Sequence, residues 1–124
     1  MKRILFLVPR MNIGGAETYV YTAAKELRAR GYEVFLASGG GRLADELKTA
    51  GIRTFFVPIR QSRILSVWRV SSIVKKYHID IIHANSGAAG IIAARVKRNT
   101  SVPVVYTCLL YTSDAADDLT RVDL

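Results

Sequence analysis

The chain has 124 residues, room for one domain with one core. Half of it is apolar and 23% is charged, a globular composition that excludes wholesale disorder. The net charge of +8 favours anionic partners, whether phosphorylated substrates, anionic lipid or nucleic acid.

The longest unbroken apolar run, Ile4–Val8, is far too short to span a membrane. Pro9-Arg10 follows where a secretory leader would carry small residues. The single cysteine, Cys108, can form no internal disulfide, and no Cys/His cluster has metal-ligand spacing. The expectation is a cytoplasmic protein without a metal. Charge is unevenly spread: residues 1–107 carry +11, whereas residues 108–124 hold four acids (Asp114, Asp117, Asp118, Asp123) against Arg121.

In chain order, Ile4–Val8 reads as a strand covered on both faces. A turn through Pro9–Gly15 leads to a helix of roughly four turns, with Val20, Ala23, Ala24 and Leu27 as its buried stripe and Gly31 as its left-handed cap. Val34–Ser38 is a second strand, followed by the turn Gly39-Gly40-Gly41. A helix over Arg42–Ala50 turns Leu43 and Leu47 inward, and Ile52–Val57 makes a third strand. Beyond the basic loop Pro58–Arg63, a third helix spans Ile64–Tyr77. Ile79–His83 is a fourth strand, a helix runs from Ser86 or Gly87 to about Lys97, and Val102–Thr107 is a fifth strand.

Strands alternating with helices predict an α/β fold, a Rossmann-like doubly wound parallel sheet in the order 3-2-1-4-5. The first and fourth strands are then neighbours at the switch in winding direction, where a ligand crevice opens beyond their carboxyl ends. Two turns should border it, Pro9–Glu17 and His83–Gly87.

In the first turn, Gly14 and Gly15 open a helix whose amides and dipole suit a phosphate, or they simply make a tight turn. Glu17 suits the helix dipole or a hydrogen bond to a sugar hydroxyl. The turn lacks the G-x-G-x-x-G spacing, and no Gly-Lys-Ser/Thr is present, which argues against dinucleotide and P-loop chemistry. In the second turn, His83, Asn85 and Ser86 supply an imidazole, an amide and a hydroxyl for binding a polyol or polarising a hydroxyl. His78 precedes the fourth strand and is expected at the surface.

Between Arg60 and Lys76, the bases Arg60, Arg63, Arg69, Lys75 and Lys76 surround Trp68. The simpler expectation puts Trp68 on the core face with solvated bases. The alternative is docking on an anionic membrane surface or anionic acceptor. Nucleic acid is not an expected partner, because no binding motif appears and the bases are scattered.

The run Met1-Lys-Arg-Ile-Leu-Phe-Leu-Val-Pro-Arg-Met-Asn-Ile-Gly-Gly-Ala-Glu17 resembles the opening of family 4 glycosyltransferases, which have the two-domain GT-B fold. So do Ala24–Leu27, Arg30–Val34, Asp80–Ser86 and Val102–Thr107. The resemblance covers residues 1–107. It implies an incomplete GT-B N-terminal domain on the acceptor side of a retaining enzyme. That enzyme would move a sugar from a nucleotide-sugar donor to a glycan or lipid-linked acceptor.

By the resemblance, Gly14 and Gly15 face the donor phosphates. His83, the one candidate for a catalytic role, joins Glu17, Asn85 and Ser86 in sugar or acceptor binding. Asn85 stands where the family often has a second histidine, which weakens an acid–base role there. The nucleotide-sugar is a substrate and no separate cofactor is implied. The C-terminal GT-B domain with the donor site would be the missing partner, so the fragment is expected to be inactive alone and to expose apolar faces that favour self-association. A peripheral position at the inner face of the membrane is consistent with the basic third helix.

Residues 108–124 are expected to be a non-native tail, because Cys108–Asp118 resembles translated sequencing adapter. Read structurally instead, Ser113 would cap a short helix through Leu119. Outside the glycosyltransferase class, the residues also fit a stand-alone α/β module binding a phosphorylated ligand at Gly14-Gly15. A receiver-type signalling domain fits poorly, since the first strand ends in Pro9-Arg10 and supplies no acidic pocket.

Overall fold

A computed structural model describes residues 2–12, 14–107 and 120–123 of the chain. Its elements in order are β1 (Arg3–Val8), α1 (Gly15–Ala29), β2 (Glu33–Ser38), α2 (Arg42–Thr49) and β3 (Arg53–Phe56). Then come α3 (Arg63–Tyr77), β4 (Ile81–Asn85), α4 (Gly87–Thr100), β5 (Val104–Thr107) and β6 (Thr120–Asp123). The sheet order is β3-β2-β1-β4-β5-β6, parallel through β5. The doubly wound order 3-2-1-4-5 is therefore the fold. The sequence reading did not include β6, which pairs antiparallel with β5. Cys108–Leu119, with the expected Ser113 cap, lies outside the described residues.

Two apolar layers hold the sheet. Leu5, Leu7, Phe35 and Ile82 pack with Val70, Val74, Ile92 and Val96 of α3 and α4. On the opposite face Phe6, Val8 and Leu36 pack with Val20, Ala24, Leu43 and Leu47 of α1 and α2. Burial is continuous from Leu5 to Val8 in β1 and from Val34 to Ser38 in β2, as a strand covered on both faces requires. At Gly90 the helix α4 lies so close to β5 that a Cβ would stand 2.5 Å from the Tyr106 ring, so a larger residue would push the helix away.

Two expectations need correction. The fourth strand was expected at Ile79–His83, but the ladder runs from Ile81 to Asn85. The Ile79 amide instead bonds to the Val74 carbonyl, closing α3, and Asp80 accepts from the Arg3 amide at 2.7 Å. Trp68 is not on the core face: it is 66% exposed, and Ile64 on the same stripe is 87% exposed. Val67, Val70, Ile73 and Val74 occupy the side of α3 that faces the sheet, which turns Ile64 and Trp68, four residues apart, outward. His78 is exposed, as expected, and caps α3 in the left-handed conformation.

Candidate functional site

Pairing of β1 with β4 puts Phe6 opposite His83 and Leu7 opposite Ala84, so the two turns meet at the carboxyl end of the sheet. There Val8, Pro9, Arg10, Glu17, Arg60, Asn85 and Ser86 line a crevice of about 330 Å³. It occupies the switch point between the oppositely wound halves, the usual ligand position in such sheets.

Each wall has a local cause. On the α1 side, Gly14 is the N-cap with extended backbone, and the Glu17 carboxylate lies against it, with Oε1 2.9 Å from where a Gly14 Cβ would stand. Carboxylate and helix N-terminus are electrostatically matched. The loop before α1 is stitched to the glycine turn after β2. The Gly39 amide donates to the Pro9 carbonyl at 2.9 Å, Met11 to Gly40 at 2.9 Å and Leu43 to Met11 at 2.7 Å. Gly41 has φ +138°, and a Cβ there would fall 2.6 Å from the Met11 backbone. Glycine is thus required on both counts.

On the β4 side, Asn85 is 2% exposed, and its Oδ1 and Nδ2 have no partner among the described residues. Ser86 has φ +104° and ψ 163°, a region that residues other than glycine occupy at a cost of about 1–3 kcal/mol. Its amide bonds to the Thr107 carbonyl at 3.1 Å, and its Oγ caps α4 by accepting from the Ala89 amide at 3.4 Å.

His83 stands one pleat behind this rim. Its ring stacks on Phe6 with centroids 5.0 Å apart, meets Tyr19 of α1 edge-on at 6.2 Å, and shares a hydrogen bond of 2.8 Å between Nε2 and Thr107 Oγ1. Burial lowers its pKa from the ordinary 6.5, favouring the neutral imidazole. The structure therefore brings Glu17, Asn85 and Ser86 together on the crevice, with Gly14 and Gly15 at the adjoining helix start. His83 shares that end of the sheet without lining the opening.

Three contributors were not singled out as site residues from the sequence. Arg10 and Arg60 line the crevice, and Thr107 ties His83 to Ser86. Thr107 reaches the site because the register of β5 sets it opposite Asn85. No group of metal-ligating side chains occurs among the described residues, and no helix among them is long and apolar enough to cross a membrane.

This frame is shared with known proteins. Among solved structures, a glycosyltransferase of Rickettsia africae aligns over 94% of this chain and 33% of its own, at 20% identity and a TM-score of 0.73. MurG of Acinetobacter baumannii aligns over 98% and 40%, at 14% identity and a TM-score of 0.73. HepE of Anabaena, solved with UDP, aligns over 86% and 29%, at 26% identity and a TM-score of 0.69. The chain thus spans about a third of the length of these GT-B proteins. No curated protein matches the sequence. Residues 13–108 match the model of Glycosyltransferase Family 4, a stretch that contains Gly14–Glu17 of the first turn, the β4 rim and all four helices. The chain belongs to that family.

Proposed function

We propose that residues 1–107 are the acceptor-side domain of a retaining GT-B glycosyltransferase and that residues 108–124 are not native to it. In this reading the enzyme moves a sugar from a nucleotide-sugar donor to a glycan or lipid-linked acceptor. The observation that carries it is the crevice between β1 and β4, in a chain of this family. HepE's complexes with UDP and UDP-glucose support a nucleoside-diphosphate sugar as donor.

The division of labour follows from the chemistry of each group. The amides of Gly14 and Gly15, at the positive end of α1, face donor phosphates. Glu17, Asn85 and Ser86 orient sugar hydroxyls, which both donate and accept. His83, packed between Phe6 and Tyr19 and bonded to Thr107, is best read as a positioning residue that fixes the start of α1 over β4. Transfer needs donor phosphates gripped from two sides, and this chain supplies one wall, so it is inactive alone. The outward Ile64 and Trp68 beside Arg60 and Arg63 suit a peripheral position on an anionic membrane.

The test is transfer by the full-length protein across a panel of nucleotide-sugars, with product anomers assigned by proton NMR. The expected result is transfer with retained configuration by the full-length protein and none by the 124-residue chain. Turnover by the purified chain, or an inverted product, would contradict the reading.

A further inference from the structure

We infer that the outer edge of β3 is a docking site for an extended acidic segment of a partner protein, which adds to the sheet as a further strand. The site is separate from the crevice and does not depend on how the crevice is used. β3 (Arg53–Phe56) stands at the end of the strand order, and no strand among the described residues pairs with its outer side. The Val57 amide donates to the Ser38 carbonyl of β2 at 2.8 Å. Successive residues of a ladder point their amides and carbonyls to opposite sides, so those of Thr54 and Phe56 point outward. An open edge of this kind is a template for another extended chain.

Aromatic side chains flank that edge. Phe56 is 60% exposed, and on the α3 side Phe55, Trp68, Arg69, Lys76 and Tyr77 help to line a pocket of about 190 Å³. That is below the roughly 300–1,000 Å³ of a small-molecule site and suits a single side chain. Phe55 and Tyr77 supply its apolar part, with ring centroids 5.3 Å apart. Because side chains alternate along a strand, every second residue of an added strand would face this side.

Charge selects the partner. Arg69 Nε lines the pocket side of α3 and is buried without a partner among the described residues. A carboxylate accepts from the planar fork of a guanidinium, whereas an apolar or basic side chain leaves the buried donor unmet. The pocket lining contains no acid, and from Leu47 to Ile79 the sequence holds seven Lys and Arg and no Asp or Glu. The same charge repels a second copy of this edge. A lipid surface offers anionic groups but no extended backbone to pair with Thr54 and Phe56. An acidic segment supplies both.

Trp68 is the one tryptophan of the chain, so its emission reports occupancy of the pocket. The 124-residue chain is titrated with an octapeptide that alternates glutamate and valine, with its lysine–valine counterpart, and with the glutamate peptide N-methylated along its centre. The expected result is a saturable blue shift with the glutamate peptide and binding of the lysine peptide weaker by about tenfold or more. Methylation, which removes ladder donors and leaves the charge, should also weaken binding by about tenfold or more. Arg69→Leu should remove the preference for glutamate. Thr54→Pro, which an edge strand tolerates where the amide faces outward, should weaken binding by about tenfold or more, while Arg98→Ala on α4 leaves it unchanged. Circular dichroism verifies each variant as folded, and peptide methylation tests the same bonds without altering the protein.

Equal affinity for the glutamate and lysine peptides, affinity unchanged by methylation, or no Trp68 response overturns the inference. So does a Trp68 shift with phosphatidylglycerol vesicles but with no peptide, which assigns the groove to a membrane. Dimerisation in sedimentation velocity that Thr54→Pro abolishes assigns the edge to a second copy and overturns it too.

Discussion

The two ends of the sheet are built on opposite terms. At the amino end, polar groups satisfy one another: Arg3 offers its amide to Asp80, its guanidinium to the Tyr77 carbonyl, and an ion pair to Glu33 at 3.3 Å. The Tyr77 hydroxyl accepts from Arg53 at 3.2 Å. At the carboxyl end, Asn85 is unpartnered among the described residues, Ser86 is held in a strained conformation, and Arg10 and Arg60 face a crevice. Strain and unmet polar groups are costs that folding alone would remove. Unpartnered buried polar atoms occur on α3 as well, at Ser66, Arg69 and Ser71, and His78 and Ser101 take positive φ at the amino end, but at the carboxyl end such groups border the crevice at the switch point, which marks that end as the working one.

The largest effect expected from this contrast is at the glycines. Gly41→Ala meets both a left-handed φ and the Met11 backbone, and should lower unfolding free energy by about 3 kcal/mol. Gly31→Ala, at the amino end with φ +95° and nothing within 4 Å, should lose only about 1 kcal/mol. Equal losses in urea denaturation would remove the claim that the crevice loops interlock.

Ser86 sharpens the comparison. Ser86→Gly relieves the backbone at the expense of a weak cap and should gain about 1 kcal/mol, whereas Ser86→Ala keeps the strain, loses the cap and should lose about 1 kcal/mol. Two losses would mean that the strain is not real. Asn85→Leu, by deleting an unpaired buried amide, should raise stability by up to about 1 kcal/mol. Asp80→Ala, at the amino end, should lower it by about 0.5–1 kcal/mol.

The smallest effect is that of pH. Burial holds the folded pKa of His83 below its ordinary 6.5, so the unfolded chain takes up this proton first as pH falls. The contribution is complete above that ordinary value and is lost as pH drops through the folded one. His83→Gln should flatten the slope of stability below about pH 6.5. An unchanged slope would assign it to other groups.

The strand order was legible because apolar runs alternate with amphipathic stretches, and chirality leaves few ways to arrange them. Boundaries failed where polar residues belong to a ladder. Asn85 looks like a residue after a strand, yet it pairs opposite Thr107. Trp68 misled for a different reason: α3 carries apolar residues on two sides, and periodicity alone does not say which side meets the sheet. The site was half legible. Glu17, Asn85 and Ser86 follow from the switch-point rule, whereas Arg10, Arg60 and the hold of the glycine turn on Met11 depend on how separate loops meet. Nothing local in the sequence encodes those meetings.

The most direct test of the division between the two ends is sugar transfer by the full-length protein carrying Asn85→Leu or Asp80→Ala, each verified as folded by its thermal transition. The account predicts that Asn85→Leu lowers kcat/KM by about a hundredfold, the loss of paired hydroxyl contacts, while Asp80→Ala leaves it within about twofold. Full activity in Asn85→Leu, or equal loss in the two variants, would contradict it.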